Sequence, residues 1–294
     1  MSTGQDSVSG GAGSGTPAAE RAEPWDGRLP AEERPGTGRR FAEHLAEVTG
    51  KSLSGSDGPD ERVELLRAGL HAARDLGDTR LEARVRNLLG LVLLDSGDLE
   101  GADTEFGASL ALAESGGDDR ARAAALQFRG VVAQRGRRDE EALVLFGRAE
   151  AVGAATGRAR GTAGLDLLRG RSLVTLGRFD HALELLDAAL EAFSAPREDR
   201  PVDEVNVARV RLERGRALNA KRRTGEARRE LELSLAGFED RGLTAQAARV
   251  REVLAGVAQL SGEKDWKDHL VEAERLYREI GNETDAARVR TYLG

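Results

Sequence analysis

Apolar and polar residues alternate with a helical period along most of the chain, and the pattern is clearest between Arg169 and Leu190. Large apolar residues there recur every three or four positions, the spacing that places side chains on one face of an α-helix. A break at Gly177 divides the stretch into two helices, so it predicts a helical hairpin with an apolar inner face. The apolar residues are Leu173, Leu176, Phe179, Leu183 and Leu186.

Versions of this hairpin recur along the chain. A glycine in the first helix of each hairpin, here called the register glycine, returns after 40, 40 and 45 residues. The five extra residues fall in a linker with Pro196 and Pro201, which cannot lie inside a helix. An alanine follows each register glycine after 12 residues, then a large apolar residue four positions later, then a small residue three positions later. The four sets are Gly90, Ala102, Phe106 and Ser109; Gly130, Ala142, Phe146 and Ala149; Gly170, Ala182, Leu186 and Ala189; and Gly215, Ala227, Leu231 and Ser234.

A degenerate fifth hairpin and a terminal helix follow the regular repeats. Ala255 replaces the register glycine, while Leu270 and Ala273 keep the later positions if one residue is deleted. The segment that ends at Gly294 repeats the first-helix pattern that ends at Gly90. We therefore predict about five hairpins and one more helix.

Two regions are predicted on the N-terminal side of the repeats. Asp60 favours a helix start and Gly77 suits its C-cap, and helical spacing also occurs over residues 38–50. Residues 1–37 are rich in Gly, Ser, Pro, Ala and Glu and bury too little apolar surface to offset the entropy of ordering. We predict a disordered tail there and a helical repeat domain over residues 38–294.

The small residues of the repeat predict how the helices pack. A glycine that faces an alanine lets two helices approach closely, and the large residue one turn beyond the alanine fills the gap. We expect the last small residue to lie where the next hairpin stacks. A single hairpin keeps an exposed apolar face, so its stability requires stacking on its neighbours.

This pattern resembles the tetratricopeptide repeat (TPR), whose Leu-Gly, Ala-x3-Phe and Ala skeleton is matched by Leu89-Gly90, Ala102 and Phe106. The other three sets match it from the glycine onwards, with arginine in place of the leucine. The terminal proline of the family is missing, and the period of 40 residues exceeds the usual period of about 34. The resemblance covers roughly residues 60–294. It implies an all-α fold, a right-handed α-solenoid of stacked helical hairpins, similar to long-period TPR arrays in bacterial regulatory proteins.

Composition and motifs narrow the function classes. The net charge of −7 argues against a general nucleic-acid binder, and the lack of cysteine excludes disulfides and thiolate sites. No catalytic motif occurs, and no two of the four histidines have metal-site spacing, so we predict no enzyme activity, metal or cofactor. No signal-peptide pattern and no long apolar stretch occur, so we expect a cytoplasmic protein without a membrane span.

The TPR resemblance implies a concave groove lined by the first helix of each hairpin. Its inward positions lie three and six residues before the register glycine and one and four residues after it. The side chains there are apolar, amide or arginine, with no acidic member. The expected groove residues are Arg84, Asn87, Leu91, Gln127, Gln134, Arg171, Arg209, Arg216 and Asn219, with Arg135 beside them.

Arginines in the groove of an acidic chain predict a site for a protein or peptide with carboxylates. We expect an extended or helical segment held by Arg171, Arg209 and Arg216. The alternative is that these arginines pair with acidic residues of neighbouring helices. The function favoured by the sequence is therefore a non-catalytic interaction module, a scaffold or adaptor that binds a partner segment.

Other functions stay open at this point. One is a peptide- or ligand-responsive regulator of a bacterial transcription or signalling system. Another is a nucleic-acid binder that uses arginine rows, including Arg129, Arg169 and Arg214, which replace the family's leucine. For that row we also expect the stems to cover apolar surface while the guanidinium groups stay in water. A last hypothesis places Trp25 of the tail in the groove, where it blocks binding.

Overall fold

The computed structural model describes residues 59–155, 162–196 and 202–293, and the regular elements within these ranges are α-helices. The predicted tail, Trp25 and the helical spacing over residues 38–50 lie outside the described residues. No helix in the described ranges is long and apolar enough to cross a membrane. The helices are α1 (Pro59–Asp75), α2 (Thr79–Ser96), α3 (Leu99–Gly116), α4 (Asp119–Arg135), α5 (Asp139–Ala155), α6 (Thr162–Thr175), α7 (Phe179–Ser194), α8 (Glu204–Ala220), α9 (Thr224–Glu239), α10 (Thr244–Ser261), α11 (Trp266–Glu279) and α12 (Glu283–Arg290).

The helices form a stack of hairpins in chain order. The hairpins are α2–α3, α4–α5, α6–α7, α8–α9 and α10–α11, with α1 packed before them and α12 after them. The first helix of each hairpin also contacts the first helix of the next, from α2 through α4, α6 and α8 to α10. The predicted all-α solenoid of stacked hairpins is confirmed, and the first helices share one continuous surface.

The register glycines are covered by the large residue of the second helix. A Cβ added at Gly90 would lie 2.6 Å from Cε1 of Phe106, and one at Gly170 would lie 2.7 Å from Cγ of Leu186. The pairs Gly130 with Phe146 and Gly215 with Leu231 have the same arrangement. The gap-filling role predicted for the large residue is therefore confirmed, because its side chain occupies the space directly above the glycine.

The serines at the last position of the repeat act within their own hairpin. The hydroxyl of Ser109 donates to the carbonyl of Ala83 at 2.9 Å, and that of Ser234 donates to the carbonyl of Ala208 at 2.7 Å. Both serines are fully buried, so their hydroxyl groups need such partners. Their hydroxyl groups connect the two helices of one hairpin, while the expectation that the small size of this position makes room for the next hairpin stays a prediction.

Two hairpin turns contain arginine in a backbone conformation that favours glycine. The turn residue seven positions after the register residue is Gly97, Gly177 or Gly262 in three hairpins, each with positive φ. Arg137 and Arg222 occupy the same position with φ of 61° and 60°. A side chain in this left-handed region is strained, so these turns are less favourable locally than their glycine counterparts.

Candidate binding groove

A cavity of about 660 Å³ opens on the surface of the first helices α6, α8 and α10. Its apolar part includes Leu167, Leu212 and Val253. The charged residues that line it are more often positive than negative, although the whole chain carries a net charge of −7. They are the arginines Arg135, Arg171, Arg209, Arg216 and Arg249 and the acidic residues Asp95, Glu213 and Glu252.

A buried glutamate lies between two of the predicted groove arginines. Oε1 of Glu213 lies 3.7 Å from Nε of Arg171, and its Oε2 lies 2.9 Å from Nη1 of Arg216. The Glu213 side chain is only 8% exposed, whereas those of Arg171 and Arg216 are 50% and 39% exposed. The inward positions of the four regular repeats have no acidic residue, but Glu213 beside them pairs with Arg171 of the neighbouring helix, as the alternative expected. Glu213 lies two residues before Gly215 and directly after the inward position Leu212. Its long side chain contributes to the wall of the cavity.

Arg135 joins the ends of two first helices at the rim of the cavity. Its Nη1 donates to the carbonyl of Leu94, and its Nη2 lies 3.4 Å from Oδ1 of Asp95. Both partners belong to the last turn of α2, where the helix dipole favours a cation. Arg135 is therefore already bonded to groups of the fold and is less available to a ligand.

Two cavity arginines on successive first helices have no carboxylate partner. Arg209 of α8 and Arg249 of α10 are exposed and occupy the same position, six residues before Gly215 and Ala255. Nη1 of Arg209 donates to the amide oxygen of Asn206 at 3.1 Å. Neither guanidinium forms an ion pair with a residue in the described ranges. Arg249 interacts electrostatically with Asp285, but neither guanidinium is in direct contact with a carboxylate of the described residues, so both present positive charge to the cavity.

The fifth hairpin contributes side chains that the sequence analysis missed. Arg249 and Glu252 of α10 line the cavity, yet the groove prediction stopped at the fourth hairpin. Oε1 of Glu252 accepts from the hydroxyl of Tyr277 at 2.6 Å, and Oε2 accepts from Nη1 of Arg288 at 2.6 Å. Burial and this carboxylate raise the pKa of Tyr277 above its usual value. Counting the register on to Ala255 would have identified both α10 residues.

Arg84 and Asn87 do not join the main cavity. They line a separate cavity of about 430 Å³ between the N-terminal halves of α2 and α4, together with Arg80 and Arg120. The Asn87 side chain is buried, and its Oδ1 has no hydrogen-bond partner among the described residues. The predicted groove therefore contains two separate cavities, and only Arg135, Arg171, Arg209 and Arg216 of the predicted set line the main one.

Gln134 lies between two hairpins. Its Nε2 donates to the carbonyl of Leu168 and to the hydroxyl of Ser172, both at 2.7 Å. The Ser172 hydroxyl in turn donates to Oδ1 of Asp139 at 2.9 Å. Because these groups are buried and bonded to each other, Gln134 connects α4 to α6 and is not presented to a ligand. Leu91, Gln127 and Asn219 line neither of the two cavities and are partly buried.

The second arginine row lies at the boundaries between hairpins. Arg129 forms a two-pronged contact with Asp103 of the preceding hairpin, with Nε to Oδ1 at 2.8 Å and Nη2 to Oδ2 at 3.1 Å. These hydrogen bonds raise the pKa of the Arg129 guanidinium. Nη1 of Arg169 lies 2.7 Å from Oε2 of Glu150, and Arg214 contacts Asp187. These arginine side chains stay partly exposed, but each guanidinium also binds a carboxylate of the preceding hairpin, a contact that the sequence did not predict.

This pairing removes the main support for the nucleic-acid alternative. A phosphate backbone would have to compete with carboxylates already in contact with the arginines of the row. In the first and fifth hairpins, Leu89 and Leu254 occupy the same position and are buried. The row is therefore a packing position that takes leucine or a paired arginine.

No protein-family model matches the sequence, and no curated protein matches it significantly. Solved structures match the fold. NprR in complex with its cognate peptide NprX has a TM-score of 0.65 at 10% identity, over 86% of this chain and 72% of that chain. BtubC (BKLC) from P. vanneervenii has a TM-score of 0.60 at 18% identity, over 76% of this chain and 93% of that chain.

A third structure carries the repeat name. The TPR-like repeats of a kinesin light chain from Podosopora anserina match with a TM-score of 0.51 at 18% identity, over 70% of this chain and 97% of that chain. Identities this low show the fold alone. Together with the register glycines and the stacked hairpins, they show that the chain has the fold of the TPR-like helical repeat proteins.

Proposed function

We propose that the protein is a non-catalytic interaction module that binds a carboxylate-bearing peptide segment of a partner protein in the cavity on α6, α8 and α10. The observation that carries this proposal is the pair Arg209 and Arg249, which line one cavity without an ion pair in the described ranges. An unpaired guanidinium favours a planar carboxylate, which it binds through two parallel hydrogen bonds.

The rest of the cavity suits a peptide. Its volume of about 660 Å³ lies within the range typical of small-ligand sites and accommodates a few side chains. Leu167, Leu212 and Val253 supply apolar contacts between the charged groups. The NprR structure, which matches this fold, was solved with a bound peptide, and this supports peptide binding by the same architecture.

The arginines of the cavity have different roles in this proposal. Arg209 and Arg249 contact the ligand carboxylates first, because no internal carboxylate in the described ranges has to be displaced. Arg171 and Arg216 are held by Glu213 and shape the positive wall beside them. The sequence prediction had assigned the same ligand-binding role to Arg171, Arg209 and Arg216, whereas the proposal gives direct ligand contact first to Arg209 and Arg249.

Capture of partners from a lysate of the source organism, followed by mass spectrometry, tests the proposal. The full chain is compared with the double variant Arg209→Gln plus Arg249→Gln, which removes both charges without breaking an ion pair of the described fold. Arg229→Gln is the control, because Arg229 is exposed on the second helix α9 and does not line the cavity.

We expect a partner that the wild type and the Arg229 variant retain and the double variant loses. Variants Arg171→Glu plus Arg216→Glu should weaken the same interaction, because they reverse the charge of the adjacent wall. Equal capture by all variants would show that this cavity is not the binding site.

A further inference from the structure

One arginine position recurs on four helices that share the first-helix pattern. It lies six residues before the register residue, and the two middle hairpins have small residues there instead. Packing does not require a long side chain at this position, since Ala124 and Gly164 replace it. The arginines are Arg84, Arg209, Arg249 and Arg288.

At the C-terminal end of the stack, this position binds a carboxylate of the chain itself. Arg288 of α12 contacts Glu252 of α10, with Nη1 to Oε2 at 2.6 Å and Nη2 to Oε1 at 3.0 Å. Glu252 lies three residues before Ala255, at one of the inward positions of the groove. The pair therefore shows how an arginine at this position holds a carboxylate presented on the neighbouring first helix.

The two preceding hairpins lack that internal carboxylate. The residue that corresponds to Glu252 is Leu212 on α8 and Leu167 on α6. The position that holds Glu252 in the hairpin before Arg288 therefore holds leucine in the hairpins before Arg249 and Arg209, and both leucines line the cavity. The arrangement leaves two equivalent guanidinium groups without the partner that the third one has.

We propose that Arg209 and Arg249 each bind one carboxylate of the ligand in the geometry of the Glu252–Arg288 pair. The ligand class is then an extended peptide with two acidic side chains three residues apart. This inference rests on the proposed function and specifies its ligand.

The spacing follows from helix packing. Helices α8 and α10 are in contact, and contacting helices lie roughly 8–10 Å apart. We expect equivalent side chains on the two helices to be separated by a similar distance. An extended chain in the polyproline II conformation advances about 9 Å in three residues and returns to the same side. Acidic residues at positions i and i+3 therefore fit the two arginines.

Peptides of identical composition test the spacing directly. Calorimetry of the full chain would compare the capped peptides Glu-Pro-Pro-Glu, Glu-Glu-Pro-Pro and Gln-Pro-Pro-Gln, flanked by the same uncharged residues. We expect Glu-Pro-Pro-Glu to bind at least about fivefold more tightly than Glu-Glu-Pro-Pro, with the uncharged peptide weakest. Equal binding of the two acidic peptides would overturn the inference.

An engineered internal carboxylate tests the geometry. Leu212→Glu places on α8 the residue that α10 has at Glu252, next to the free Arg249. We expect Leu212→Glu to weaken Glu-Pro-Pro-Glu binding by at least about fivefold, whereas Leu212→Gln, of equal size and no charge, should lose clearly less. Equal losses in the two variants would contradict the proposed geometry. Circular dichroism melting of both variants shows whether each is folded before the comparison is made.

The failures of the two proposals are distinguishable. If the wild type captures a partner that the Arg209 and Arg249 double variant loses, but the peptides show no preference for spacing, the diacidic ligand is wrong and the binding groove stands. If capture is independent of both arginines and no acidic peptide binds, the groove proposal fails as well.

Discussion

Arginines at the hairpin boundaries and arginines in the cavity come from the same repeats but have opposite surroundings. Arg129 and Arg169 at the boundaries each contact a carboxylate of the preceding hairpin. Arg209 and Arg249 in the cavity have no such partner in the described ranges. The difference shows that residue type alone does not identify a binding residue. What separates the two sets is whether the fold already supplies a carboxylate within reach.

Removing a boundary arginine should cost stability, and removing a cavity arginine should not. Arg129→Met leaves Asp103 without its two hydrogen bonds, so we expect the free energy of unfolding to fall by about 1–2 kcal/mol. Arg209→Met should change it by less than about 0.5 kcal/mol, because no ion pair is broken. Urea denaturation measures both.

A double-mutant cycle with Asp103→Asn separates the Arg129 contact from general effects of the substitution. Near-zero coupling between the two positions, or an equally large loss in Arg209→Met, would remove the distinction between the two sets.

A third set of arginines, in the hairpin turns, should be dispensable for stability. Arg137→Gly and Arg222→Gly relieve left-handed backbone strain at a position where three other hairpins have glycine. The relief exceeds the added entropy of the unfolded chain, so we expect each variant to gain about 0.5–1 kcal/mol. Thermal denaturation checks this, with Arg138→Gly, which has ordinary backbone angles, as a control that should not gain stability. A loss of stability in the turn variants would mean that their side chains make contacts of their own.

Arg171 and Arg216 are intermediate between the two sets, because they line the cavity and both pair with Glu213. Glu213→Gln removes a negative charge from between Arg171 and Arg216, so binding of an acidic peptide should strengthen about threefold. Both arginines reach water, so the cost in stability should be small. Calorimetry with the Glu-Pro-Pro-Glu peptide measures the change. Weaker binding would show that Glu213 orients the arginines rather than neutralising them.

At the boundary between the fourth and fifth hairpins, the charge of His269 should make stability depend on pH. Burial lowers the pKa of His269 on α11. The charged groups around it are Asp265 and Asp268 at the start of α11, Arg251 on α10 and Arg228 on α9. The folded state therefore keeps His269 neutral, while the unfolded state takes up a proton near pH 6.5. The contribution of neutral His269 to the free energy of unfolding is fully present above this pH and is lost as the pH falls below it.

Lowering the pH from 7.5 to 5.5 should reduce the Tm of the wild type by roughly 2 °C more than that of His269→Gln. Differential scanning calorimetry at low salt measures this difference. Identical pH dependence in the two proteins would show that His269 gains no proton on unfolding in this range.

The fold could be predicted from the sequence because the same packing requirement recurs at the same position of each hairpin. Gly90, Gly130, Gly170 and Gly215 recur because a side chain at any of them would meet the residue that covers it. Such a constraint acts within one hairpin and leaves a periodic trace. The architecture was therefore readable without knowing how the hairpins are arranged relative to each other.

The site was predicted less well because its properties depend on contacts between hairpins. Gln134 occupies an inward register position, yet its amide is bound by α6. Arg171 lines the cavity, but its pairing with Glu213 depends on how α6 lies against α8. Neither contact has a fixed sequence separation across the repeats, so no periodic pattern reveals it.

The position of Glu252 has a consequence for ligand selectivity. This carboxylate lines the cavity and also binds Tyr277 of α11 and Arg288 of α12. A cationic ligand that drew Glu252 into the cavity would have to break bonds that attach the terminal helix. By thermodynamic linkage, firm attachment of α12 and binding of a cation at this carboxylate oppose each other. We therefore expect the terminal helix to disfavour basic ligands at Glu252, at a distance from the arginines proposed to bind acidic ones.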